Sequence, residues 1–114
     1  MIYTKLPNTD ISVSKICLGT MTFGKQNSEN ESHSQIEFSL DRGINFLDTA
    51  ELYPVPADNS TYADTERIIG SWIKKSGKSR GTAATIQACR ATPLYAIRRL
   101  YGCRYGRQVC ILLY

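Results

Sequence analysis

The stretch from Lys15 to Ile73 alternates strand-like and helix-like segments twice, and that alternation restricts the chain to α/β architectures. Lys15–Leu18 reads as a short strand ending at Gly19, followed by the loop TMTFGKQN. Ser28–Glu31 is SENE, a capping box, so a helix is expected from there to Arg42, with Gly43 as its left-handed stop. Ile36 and Leu40, one helical turn apart, mark its buried side. Ile44–Leu47 is a compact apolar strand that places Asp48 at its C-terminal end. After a loop rich in Pro, Asp and Asn, Thr61 and Asp64 are candidate caps for a second helix through Ile73. Ile68, Ile69, Trp72 and Ile73 form its apolar stripe, Lys74 and Lys75 suit its negative end, and Gly77 ends it. A β-hairpin precedes these units: Ile2–Leu6, a turn at Pro7-Asn8-Thr9, then Ile11–Val13.

Hairpin, β, α, β, α is the order in which a (β/α)8 TIM barrel begins. An open doubly wound sheet is the competing architecture, but the first strand leads into GTMTFG rather than a GxGxxG fingerprint. A full barrel takes roughly 250 residues and eight strands, whereas this chain has 114 residues. A truncated N-terminal portion is therefore expected, its second strand left with an unpaired edge through which the fragment could self-associate. The Ile68–Trp72 stripe is likewise expected to lack part of its packing surface.

Charge divides the chain near Arg80. All ten Asp and Glu fall in residues 1–80, against nine Lys and Arg, for a net −1. Residues 81–114 hold no Asp, Glu or Lys but five Arg (Arg90, Arg98, Arg99, Arg104, Arg107), which restores the overall +4. Three of the four Cys, Cys89, Cys103 and Cys110, lie in this tail, while Cys17 stands apart. No CxxC pair or Cys/His spacing suggests a metal site, and reduced thiols in a cytoplasmic chain are the expectation. The opening MIYTKLPNTD is polar and broken by Pro7, unlike a leader, and no apolar run has the length to span a bilayer.

The runs LGTMTFG (Leu18–Gly24), GINFLDTAELY (Gly43–Tyr53) and TERIIGSWI (Thr65–Ile73) occur in an order and spacing that resemble the N-terminal part of aldo-keto reductases. GTMTFGKQNSE and ELYPVP are similar to the bacterial Tas-type branch of that family. The resemblance covers residues 1–80, a partial reductase domain, with residues 81–114 as a non-homologous tail. It implies a barrel enzyme that reduces a small aldehyde or ketone with NADPH. Tyr53 would be the general acid that protonates the carbonyl oxygen, and Asp48 would belong to the same catalytic tetrad. Gly19, Thr20, Met21 and Asp48 would lie near the nicotinamide and its ribose.

Such chemistry needs more than these two residues. A free Tyr titrates near about 10 and is poorly matched to proton donation near neutral pH. In the family a Lys at the end of the third strand lowers that value, a carboxylate holds the Lys, and a His ending the fourth strand orients the carbonyl. Neither the Lys nor the His is identifiable here. His33, the only histidine, falls in the first helix with no strand-end motif around it and is expected to be an exposed helix residue.

Codon arithmetic accounts for the tail. Gly81–Arg90 reads GTAATIQACR, and one base later the same codons permit Glu-Leu-Leu-Leu-Pro-Ser-Lys, a third-strand pattern of the family with its Lys in place. A frameshift near Ser79–Gly81 would explain the missing acids and the excess of Arg, Cys and Tyr. On this reading the chain is an inactive reductase fragment, and cofactor binding fails because phosphate sites in such barrels lie after strands seven and eight. Two other readings remain open. One is a non-catalytic interaction fragment. The other is a basic aromatic nucleic-acid surface around Arg98, Arg99, Tyr101, Arg104 and Tyr105, which is not expected on composition alone.

Overall fold

Two helices cover one face of a small mixed sheet, and the order of elements follows from where the sequence places its caps and breakers. In the computed structural model residues 1–78, 84–88 and 109–113 are described. Residues 98–105, on which the alternative nucleic-acid reading rests, and Cys89 and Cys103 lie outside them.

An antiparallel hairpin of β1 (Tyr3–Lys5) and β2 (Ser12–Ser14) opens the chain, with Asn8 left-handed in its turn. It is tied down where the Tyr3 hydroxyl donates to the Gly43 carbonyl at 2.8 Å. Then come β3 (Leu18–Gly19), α1 (Glu29–Asp41), β4 (Phe46–Ala50), α2 (Asp64–Ser76), β5 (Ala84–Ala88) and β6 (Val109–Leu113). The sheet runs β3-β4-β5-β6, with the first three strands parallel and β6 antiparallel to β5. A helix lies between each pair of successive parallel strands, the β/α alternation expected from the sequence.

Helix α1 starts as expected. Ser28 accepts from the Glu31 backbone, and Glu31 Oε2 accepts from the Ser28 N–H at 2.8 Å. It ends at Arg42, with Gly43 left-handed beyond it. Helix α2 departs from expectation at its start. Its N-cap is Ala63, in a left-handed conformation with no side-chain cap. Thr61 contributes only its carbonyl, to the Asp64 N–H, while its hydroxyl is buried without a partner among the described residues. Asp64 sits inside the first turn and pairs with Arg67, so its carboxylate is not the cap either. The helix runs through Lys74 and Lys75 to Ser76, and Gly77, left-handed, ends it as expected.

The core between sheet and helices consists of Phe23, Ile36, Leu47, Ile68, Ile69 and Trp72, with Leu18, Leu40 and Ile73 packed against it. Fully burying a side chain of this kind stabilises by roughly 1.5–3 kcal/mol. The α2 stripe is thus covered, contrary to the expectation of a missing partner, because Phe23 and Ile36 fill the space above Leu47. The expectation of a bare edge on the second strand is overturned as well. β4 pairs with β5 along all five residues, Phe46 opposite Ala84 through Ala50 opposite Ala88. That double pairing also carries the strand past Leu47 to Ala50, so Asp48 lies mid-strand rather than at its end.

Candidate active site

Side chains alternate across a strand. Leu47 and Thr49 are buried on the helix side of β4, so Asp48 faces the opposite side of the sheet. Gly19 stands beside it in register on β3. The chain then turns through Thr20–Gly24, and this turn is fastened to Asp48. The Thr20 N–H and hydroxyl both donate to the Asp48 carbonyl, at 3.1 and 2.8 Å. Tyr53 follows β4 by three residues, its N–H held by the Ala50 carbonyl at 3.0 Å. Two residues on, the Val55 N–H donates to the Met21 carbonyl at 2.9 Å, which brings the Tyr53 loop over the turn. The five residues singled out from the sequence, Gly19, Thr20, Met21, Asp48 and Tyr53, are therefore gathered where β3 ends beside the middle of β4.

The electrostatics of this end run one way. Burial, and after it the Asp48 carboxylate, push the Tyr53 phenol above the ordinary tyrosine value. The same two causes lift the Cys17 thiol to about 11, although the residue as a whole is solvent-exposed, so Cys17 carries little nucleophilic thiolate near neutral pH. Glu66, in the first turn of α2, is raised by burial and by Glu51. Among the described residues no lysine bonds to Tyr53 or Asp48. Lys25, on the turn that follows Thr20, is engaged instead by the Pro56 carbonyl and Asp58.

His33 is not the exposed residue expected from its place in α1. Its side chain is 13% exposed, and its Nε2 lies 3.1 Å from the Ile68 carbonyl and 3.0 Å from Ser71 Oγ. With Nε2 protonated it donates to that carbonyl, so it fastens α1 to α2 on the helix side of the sheet. The expectation failed because the partner lies 35 residues away in sequence. The sequence reading also passed over Thr65, whose buried hydroxyl donates to the Phe23 carbonyl at 2.9 Å. Only its position at the start of TERIIGSWI marked it.

A family model described as the aldo/keto reductase family matches residues 15–86, from before β3 into β5. The chain belongs to the aldo/keto reductase family. Among its relatives, Protein tas of Escherichia coli (strain K12) is 46% identical over 77 residues, which make up 68% of this chain and 22% of that protein. This likeness places the chain in the Tas-type branch of the family. The uncharacterized oxidoreductase YrpG of Bacillus subtilis (strain 168) is 40% identical over 80 residues, 70% of this chain and 24% of that protein. Versiconal hemiacetal acetate reductase of Aspergillus parasiticus is 30% identical over 95 residues, 78% of this chain and 26% of that protein. The chain thus spans about a quarter of the length of these three relatives. No helix among the described residues is long and apolar enough to cross a membrane.

Proposed function

We propose that Asp48 and Tyr53 are two members of the catalytic group of an NAD(P)H-dependent carbonyl reductase built as a (β/α)8 barrel, and that the 114-residue chain by itself does not turn over. When bound, the nicotinamide supplies hydride to the carbonyl carbon. Tyr53 donates the proton to the carbonyl oxygen, and Asp48, on the same side of the sheet, holds the cation that makes this donation possible. The nicotinamide side fits the residues present. A Cβ added at Gly19 meets nothing within 4 Å, Met21 is exposed, and no hydrogen bond from the described residues reaches the Asp48 carboxylate. Among the described residues, the space beside Gly19 is thus open to a planar ring.

The observation that carries the reading is geometric: the Thr20–Gly24 turn bonds both the backbone of Asp48 and the loop of Tyr53, which brings the two residues together beside Gly19. A phenol that must release its proton near neutral pH needs a neighbouring cation to lower its pKa, yet here burial and Asp48 raise it. Residues 81–114 contain no Lys to reverse this. The arrangement has the charge pattern of a reductase site without its lysine. The test is NADPH titration of the purified chain by fluorescence, with circular dichroism on the same sample and carbonyl-dependent NADPH oxidation as a second readout. Folded chain with neither saturable binding nor turnover is expected. Turnover would refute the proposed inactivity.

A further inference from the structure

Thr65 stands at the start of α2, where a hydroxyl has no preceding helical carbonyl to bond back to, and it reaches across 42 residues of sequence instead. Its donor goes to Phe23 O at 2.9 Å, with Thr20 O farther off at 3.5 Å. Thr65, Thr20 and Phe23 are all fully buried. The bonds run on from there. Phe23 N–H donates to Thr20 O at 3.0 Å, Thr20 donates twice to Asp48 O, and Met21 O receives Val55 N–H. Close packing backs them, since a Cβ on Gly24 would stand 3.0 Å from Asp64 Cβ at the head of α2. One turn therefore links the backbone of Asp48 to the loop of Tyr53, and α2 holds that turn through the Thr65 hydroxyl together with the packing at Gly24.

The geometry points to Thr65 as a positioning residue that sets how Asp48 and Tyr53 face each other, acting through the Thr20–Gly24 turn. This inference rests on the proposed pairing of Asp48 with Tyr53 and adds what fixes that pairing. A β-branched side chain with restricted χ1 suits the task, because it keeps the hydroxyl aimed at one acceptor. Thr65→Val keeps the shape and removes the donor, whereas Thr65→Ser keeps the donor.

The test is the ionisation midpoint of Tyr53 in the full chain, read by NMR with ring-labelled tyrosine. The chain has seven tyrosines, so the resonance is assigned by its loss in Tyr53→Phe. Asp48→Asn should lower the midpoint in the parent chain, since it removes a charge that raises it. In Thr65→Val the midpoint should fall below that of the parent, and adding Asp48→Asn should no longer move it. Thr65→Ser should restore both. If Thr65→Val lowers only the melting temperature, leaving the midpoint and its response to Asp48→Asn intact, the positioning role is overturned. If Asp48→Asn has no effect in the parent chain, the Asp48–Tyr53 pairing itself fails, and that result is distinguishable from the first. Should Thr65→Val not fold, Thr20→Val interrupts the next bond of the relay and must abolish the response to Asp48→Asn for the inference to stand.

Discussion

The indole N–H of Trp72 donates to Glu37 Oε1 at 2.7 Å, and the other oxygen of the same carboxylate takes the Lys78 ammonium at 2.7 Å. Lys78 in turn lies over the indole ring, 5.6 Å from its centroid. One side chain of α1 thus binds both Trp72 within α2 and Lys78, two residues beyond its end. Glu37→Gln can keep one of these bonds but loses the charge that Lys78 meets. A loss of about 0.5–1.5 kcal/mol is expected, measured as the urea midpoint. Trp72 is the chain's single tryptophan, so the emission comes from this one indole and its surroundings. An unchanged midpoint and spectrum would show that the bond contributes nothing.

Acid should destabilise the fold in a definite range. Hydrogen bonds hold three glutamates below their usual 4.5: Ser71 at Glu29, the Ser28 backbone at Glu31, and Lys78 at Glu37. Ser60 does the same for Asp58, to about 2. A carboxyl whose folded pKa lies below its unfolded value stabilises above the unfolded value, and that contribution is lost as pH falls through the folded one. Glu66, raised by burial, acts in the opposite sense, but it is outnumbered. The melting temperature should therefore fall progressively between about pH 4.5 and about pH 2. A flat profile across that window would contradict these contacts.

Gly24 and Gly19 should respond differently to the same substitution. Gly24 has φ +94°, and an added Cβ would lie 3.0 Å from Asp64 Cβ and 3.3 Å from Ile68 Cδ1. Gly24→Ala combines left-handed strain with overpacking and should cost about 2–4 kcal/mol. Gly19→Ala meets open space and should change stability by less than about 0.5 kcal/mol. Chemical denaturation of both variants decides it, and equal losses would contradict the close approach of the turn to α2.

The reading frame of the tail is testable without protein. Sequencing the DNA over codons 81–88 should show Glu-Leu-Leu-Leu-Pro-Ser-Lys one base out of frame. Codons incompatible with three leucines and a lysine there would remove the frameshift account.

What the sequence disclosed was local. SENE specified the start of α1, Gly43 and Gly77 specified two helix ends, and the alternation of strand and helix specified the order of the parallel strands. The strand carrying Asp48 was recognisable from its apolar run, but its end was not, because pairing with β5 extends it to Ala50. His33 and Thr65 were illegible for the same physical reason. Each bonds to a backbone carbonyl dozens of residues away, and a carbonyl leaves no mark on residue identity. Ala63 as the N-cap of α2 was misleading in another way. Thr61 and Asp64 both look like caps, but the turn places neither side chain at the exposed N–H groups.

The strand register has a consequence for how the chain is made. The hairpin pairs Tyr3 with Ser14 and can close within microseconds of leaving the ribosome. Leu18 must wait for Leu47, and Phe46 for Ala84, so each parallel pairing closes a span of roughly thirty to forty residues, the kind of non-local contact that slows folding. During translation β4 therefore first meets β3 and carries a row of unpaired amides until residues 84–88 emerge. A nascent chain paused before that point exposes the strand that holds Asp48, and it is at this stage of synthesis that a chaperone would have most to cover.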